Sequence, residues 1–367
     1  MGIPEKIKAI QDEIHRTQIN KATEHHVGLL KAKIAKLKRE QETEQVKKSS
    51  KKQDGFDVKR TGDATVVFIG LPSVGKSTLL NRLTGSKSAI GAYQFTTVTV
   101  VPGVMNYRGA RIQVLDLPGI IKGASTGKGL GKRILSVARS ADIVLLVLDV
   151  FQPYHEDVLI NELVNIGIRL NQEPPNIVIE KSNTGGIAVA QQKKLKKMSE
   201  KLLKEILNIY GYTSARVVIK EDIDSEQLID FINGNKTYAK GITILNKIDL
   251  VDDKFVENVA KKLKTDFIPT SADSNKNINE LKERIYNELE FIRIYLRPKG
   301  GETDFEEPLI ARKGNTVADI CNKLHRNMKK DFRFGLVWGK SVKFGGQRVG
   351  LKHILIDEDV LTVVKRR

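Results

Sequence analysis

ATVVFIGLPSVGKSTLLNRLTG, residues 64–85, is the stretch whose reading decides the fold. Its first six residues, ATVVFI, are mostly apolar and rich in β-branched side chains and predict a strand, while LLNRLT at its end predicts a helix. Between them GLPSVGKST has the spacing Gly-x4-Gly-Lys-Ser. A chain that turns from strand to helix over that spacing aims its backbone N–H groups inward at a phosphate. Gly70 and Gly75 permit the tight backbone, Lys76 reaches the β and γ oxygens, and the Ser77 hydroxyl holds Mg²⁺. The expected nucleotide contacts run along Gly70, Pro72, Ser73, Val74, Gly75, Lys76, Ser77 and Thr78. An α/β fold built on a P-loop follows.

Three downstream segments select guanine. RIQVLDLPG predicts a strand that ends at Asp116, with its carboxylate beside the metal and the Gly119 N–H available to a γ-phosphate. GITILNKID predicts a second strand ending in Asn246, Lys247 and Asp249. The Asp249 carboxylate can accept from the N1–H and exocyclic amine of guanine, whereas adenine offers a lone pair at N1 and would repel it. Lys247 is expected to pack along the base and sugar. In IPTSAD, Ser271 and Ala272 follow a short strand, where a backbone N–H can meet the guanine O6.

YQFTTVTVVPG lies where a first switch is expected. A threonine there completes the Mg²⁺ shell and feels the γ-phosphate through its backbone. Thr97 is the first choice and Thr96 the second. From Val98 onward the same run is β-branched enough to be a plain strand, and both readings can hold together. Lys76, Thr97 and Gly119 are the expected catalytic residues, and Ser77, Thr97 and Asp116 the expected metal ligands. Ile120 stands where Ras-like proteins place a water-orienting glutamine, so slow intrinsic GTP hydrolysis is expected.

GLPSVGKS, YQFTT, DLPGIIKGASTGKGLGKR and NKID together resemble the Obg-related GTPases, and the whole chain is most similar to the developmentally regulated GTP-binding proteins. The glycine-rich run from Gly123 to Gly131 is the most family-specific part. Lys122 departs from the pattern, which usually has an acidic residue or tyrosine there. Ser73 departs from the asparagine of several cation-activated relatives. A partner, the ribosome or a monovalent cation such as K⁺ is therefore carried as what completes the hydrolytic site.

The chain has 367 residues, 40% of them hydrophobic, which suits two or three domains with their own cores. Its single cysteine, Cys321, excludes an internal disulfide and fits a reducing, cytoplasmic setting. No apolar run has the length of a membrane helix, and MGIPEKIKAI has no signal-peptide character. Six scattered histidines form no metal-ligand pattern. The net charge of +18 is uneven: residues 1–60 hold 15 lysines and arginines against nine acids, 61–290 hold 30 against 26, and 291–367 hold 17 against nine. A nucleotide's phosphates cannot account for basic ends, whereas RNA or the ribosome can. The plain alternative is that lysine-rich helices are merely soluble.

Apolar spacing predicts two amphipathic helices before a charged linker at Lys47–Gly55, giving a basic helical region over 1–60. Asp116 and Asn246 are 130 residues apart, about twice what a GTPase core needs, so an inserted α/β domain is expected over 168–240. The GTPase domain is then split between 61–167 and 241–290. In the insert NIVIEKS and ARVVIK predict strands, AQQKKLKKMSEKLLKEILNIY a helix, Asp224 with Gln227 the cap of another, and Gly185–Gly186 a hairpin turn in preference to a phosphate-binding loop. Residues 291–367 read as a β, helix, β series in which Cys321 is a core residue and Thr316 with Asp319 a capping box. The resemblance implies that the N-terminal region packs on and extends from the GTPase core. It further implies that the insert is akin to a ribosomal-protein fold and that the C-terminal part is a ubiquitin-like β-grasp TGS domain. The expected function is a Mg²⁺-dependent GTPase switch acting in translation, with ribosome, RNA and a regulatory protein as partners. The competing expectation is an RNA or ribosome scaffold that holds GTP as a structural ligand.

Overall fold

The computed structural model describes residues 2–18, 20, 23–48, 62–85, 93–95, 98–117 and 137–366. The chain divides into two compact units, one made of residues 1–55 and 172–238, the other of 56–171 and 239–367.

The chain begins with α1 (Ile3–Arg16) and α2 (Glu24–Lys48). It then enters a sheet through β1 (Ala64–Ile69), turns into α3 (Lys76–Thr84), and passes through β2 (Tyr93–Phe95), β3 (Val98–Tyr107) and β4 (Ala110–Asp116). β5 (Ile143–Asp149), α4 (His155–Ile166) and β6 (Ile168–Leu170) follow. All six residues of β1 are buried, because its two faces feed two cores: Val66 and Phe68 enter one, Val67 and Ile69 the other. That is why the strand is continuously apolar rather than alternating.

The inserted segment supplies β7 (Ile177–Lys181), β8 (Ile187–Gln191), α5 (Glu200–Ile209), β9 (Ala215–Ile219) and α6 (Ser225–Asn233). Its sheet order is β7-β9-β8. The predicted long helix is thus shorter than expected. Ile187 and Val189 alternate into the core as a strand parallel to β9, and the helix starts only where Ser199 Oγ accepts from the Leu202 N–H at 3.2 Å. Gly185 and Gly186, both at positive φ, do form a turn, but β9 lies between the strands they join, so it is not a hairpin. Asp224 and Gln227 make the expected capping box. α2 packs on α5 and α6: Ala32 is buried in the same core as Leu203 and Ile206, and Lys31 pairs with Glu226 at 2.5 Å. α2 is therefore a wall of the insert's own core.

β10 (Thr237–Asn246) returns the chain to the large sheet, followed by α7 (Asp253–Ala260), β11 (Phe267–Pro269) and α8 (Ile278–Glu288). The order is β11-β10-β5-β1-β4-β3-β2, with β6 on β10. β11, β10, β5, β1 and β4 are parallel, β3 runs against them, and β2, antiparallel to β3, runs with them again. The loops that follow β1, β4, β5, β10 and β11 therefore gather at one edge, where α/β sheets place ligands.

The C-terminal part comprises β12 (Phe291–Leu296), β13 (Leu309–Arg312), α9 (Val317–Leu324), β14 (Phe332–Trp338), β15 (Gln347–Val349) and β16 (Asp359–Lys365), in the order β13-β12-β16-β14-β15. Thr316 and Asp319 cap α9, and Cys321 is fully buried in the core, where burial pushes its thiol pKa up. Arg312 pairs with Asp142 at 2.5 Å and Lys323 with Asp63 at 3.1 Å, and a Cβ on Gly109 would come within 2.7 Å of Pro308. These contacts fasten the domain to the large sheet.

Candidate nucleotide-binding site

The turn between β1 and α3 owes its shape to two left-handed residues, Ser73 at φ 64° and Gly75 at φ 94°. A Cβ on Gly70 would stand 2.6 Å from the Val147 carbonyl, and one on Gly75 would collide with Asn246 Nδ2. Lys76 is buried, and its ammonium donates to the carbonyls of Gly70 at 3.1 Å and Leu71 at 2.9 Å. Burial lowers its pKa, against the opposing pull of the Asp116 carboxylate.

Ser77 Oγ donates to Asp116 Oδ2 at 2.7 Å. Burial raises the Asp116 pKa, with the Ser77 hydrogen bond and the Lys76 charge working the other way. Asp116 Oδ1 is buried and has no hydrogen-bond partner among the described residues. A hydroxyl and an orphaned carboxylate oxygen side by side make a hard, all-oxygen donor set, which fits Mg²⁺. Among the described residues no cluster of three or more His, Cys, Asp or Glu could hold another metal.

Asn246, last residue of β10, ties the edge together. Its Nδ2 donates to the Val74 carbonyl at 2.9 Å, across 172 residues of sequence, and its Oδ1 accepts the Ala272 N–H at 3.1 Å. Lys247 takes a left-handed conformation at φ 69°, and its ammonium meets Asp149 at 2.7 Å. Asp249 stands exposed in the 3₁₀ turn Ile248–Leu250. Of the two N–H groups expected at the guanine O6, that of Ala272 goes to Asn246 and that of Ser271 to the Lys276 carbonyl at 3.1 Å.

Two residues that the sequence reading passed over hold this edge in place. Arg82 reaches from the end of α3 to the carbonyls of Ala272 at 2.7 Å and Asp273 at 2.9 Å, and Asp149 restrains Lys247. Asp149 had a signal, as a charge closing an apolar strand. Arg82 had none. Thr96, Thr97, Gly119, Ile120, Lys122 and the glycine-rich run 123–131 lie outside the described residues.

A left-handed Gly-x4-Gly-Lys-Ser turn, a hydrogen-bonded Ser–Asp pair and a strand-end Asn-Lys-x-Asp on one edge of a mostly parallel sheet define a P-loop GTPase. Comparison with known families agrees. Residues 65–181 match the family described as 50S ribosome-binding GTPase, 184–291 match the C-terminal region of that domain, and 292–365 match the TGS domain. An uncharacterized GTP-binding protein of Methanocaldococcus jannaschii is 49% identical, over 100% of this chain and 94% of that one. The developmentally-regulated GTP-binding protein 2 homolog of Dictyostelium discoideum is 45% identical and developmentally-regulated GTP-binding protein 1 of Xenopus laevis 44%, each over the full length of both chains. The chain belongs to the family of developmentally regulated GTP-binding proteins.

Proposed function

We propose that this chain hydrolyses GTP to GDP and phosphate and uses that cycle as a switch on the ribosome. The observation that carries the nucleotide reading is the bond from Asn246 to the Val74 carbonyl, because it joins the guanine-reading motif to the phosphate turn as one site. The backbone from Gly70 to Thr78 cradles the phosphates, and Lys76 exchanges its two carbonyl partners for β and γ oxygens. Ser77, Asp116 and Thr97 would hold Mg²⁺, which would neutralise charge developing on the phosphate oxygens. Gly119 offers its N–H to the γ-phosphate. Asp249 accepts from the guanine edge and Lys247 lies along the base. The Ala272 N–H serves the guanine O6 by being shared with Asn246 Oδ1.

The ribosomal half of the proposal rests on the basic ends of the chain and on the match of residues 65–181 to a ribosome-binding GTPase family. A cytoplasmic setting is consistent with a single, buried cysteine. No helix among the described residues is long and apolar enough to cross a membrane. Phosphate release over many turnovers, with and without ribosomes and in sodium or potassium, tests the enzyme. Co-sedimentation of ribosomes with GTP-loaded and GDP-loaded protein tests the switch. Stoichiometric GTP binding with no turnover under any of these conditions would assign the chain instead to the class of scaffolds with a structural nucleotide.

A further inference from the structure

The C-terminal sheet has one face turned to its core and one turned to solvent. On β14, Val337 enters the core with Val349 and Leu361, which leaves Phe334, Leu336 and Trp338 on the opposite face, while a register shift between Phe332 and Phe334 returns Phe332 to the core. Arg348 on β15 stands opposite Leu336, and from there its guanidinium lies over the Phe334 ring, 4.2 Å from the centroid. Arg297, just past β12, lies over Trp338 at 5.0 Å, and its Nε donates to the Gly301 carbonyl. Both arginines are exposed. Beside them the loop between β14 and β15 carries exposed Lys340 and Lys343, and Phe344 at 65% exposure. Arg293 is already held by Asp357 and Glu358, and the acidic run 302–307 flanks the far side through Phe305, whose ring meets that of Tyr295 at a tilt of 56° with centroids 5.1 Å apart. The cationic half of the face is thus bounded.

We propose that this face, centred on Arg348 over Phe334 and Arg297 over Trp338, binds unpaired RNA by stacking bases on the outer guanidinium planes. A guanidinium held over a ring has already lost part of its freedom, so it can turn its planar outer surface to a base at a smaller ordering cost than a free arginine would pay, while its charge attracts the neighbouring phosphate. A duplex hides its base faces and would gain only the charge term. The surplus of 17 basic over nine acidic residues in 291–367 supplies the long-range attraction. The inference deepens the ribosomal reading and rests on it.

Trp338 is the chain's one tryptophan, so its fluorescence reports on this face alone. The full-length protein is titrated with an oligouridylate of about ten nucleotides, unstacked in solution and long enough for a stacking site, and with a duplex of equal length. The expected result is quenching and tighter binding by the single strand. Arg348→Lys keeps the charge but loses the plane. It should weaken the single strand roughly tenfold, the effect of losing about one base stack, and leave the duplex within about twofold. Phe344→Ala should weaken it by several-fold, and GTP affinity should match wild type in both variants. Equal affinity for single strand and duplex, or a neutral Arg348→Lys, overturns stacking; if wild type still pellets with ribosomes, the ribosomal reading survives that failure. Absence of any association with RNA or ribosomes overturns both. Quenching by ribosomal protein and not by RNA assigns the face to a protein partner and overturns the proposal.

Discussion

Replacing Asn246 by alanine tests the architecture of the site more severely than any change at the nucleotide-facing side chains. The amide makes two short hydrogen bonds inside the protein, to the Val74 carbonyl at 2.9 Å and from the Ala272 N–H at 3.1 Å, besides a long one from the Thr270 hydroxyl at 3.5 Å, and the residue is 2% exposed. Alanine abolishes both and leaves a buried carbonyl and a buried N–H unpaired. At about 1–3 kcal/mol for each orphaned group, with water entering the gap and relieving part of it, the loss should be about 2–4 kcal/mol. For a unit of this size that corresponds to a fall in thermal midpoint of roughly 5–15 °C. Guanine nucleotide affinity should drop as well, because the turns at 70–76 and 271–273 lose their common tie. Asn246→Asp is the informative partner: one oxygen can still accept from Ala272, but the other faces the Val74 carbonyl and repels it, so it should destabilise about as much despite equal size. Denaturant and thermal unfolding, with and without GDP, measure both effects. If Asn246→Ala unfolds like wild type and binds GDP equally well, the bond does not hold the site together, and the three motifs are independent.

Asp249→Asn should weaken GTP binding by about 2–4 kcal/mol and improve relative affinity for xanthine nucleotide, whose ring accepts where guanine donates; an unchanged guanine preference in competition binding would show that Asp249 does not read the base. Asp116→Asn should stabilise the nucleotide-free protein yet remove the extra stability that Mg²⁺ gives the GDP complex. The sign follows from burial. The native Asp116 pKa is raised above its unfolded value, so its ionisation costs stability as pH climbs from the ordinary carboxylate range through the raised value, and the cost disappears again on acidification. A thermal midpoint compared across pH for both proteins reads the difference. Single-turnover hydrolysis without a partner should be slow, about a few turnovers per hour, and a fast rate in sodium would mean that some residue other than position 120 orients the water. Deleting residues 1–50 should uncover Leu203 and Ile206 and destabilise the insert, so the basic N-terminal surface is better probed by charge reversal at exposed Lys33 and Lys38, read by salt-dependent ribosome co-sedimentation.

The turn from β1 into α3, the strand ends at Asp116 and Asn246, the capping boxes at Asp224 and Thr316 and the core place of Cys321 were all legible in the sequence. Each depends on neighbours a few residues away: left-handed glycines, alternating or continuous apolar runs, and side chains that cap their own helix. Sequence alone also announced an inserted domain, since 130 residues cannot fit between Asp116 and Asn246 in a plain core. Only the tertiary structure decided which partners meet across long separations. It gave Asn246 to Val74 and Ala272, Arg82 to the turn after β11, Lys247 to Asp149, and α2 to the insert whose core it completes. It also turned residues 187–191 into a strand, because an edge position beside β9 outweighed the helical pattern of the lysine-rich run that follows. Local periodicity encodes the elements, whereas the hydrogen bonds that make three motifs one site exist only once a parallel sheet has brought its strand ends to the same edge.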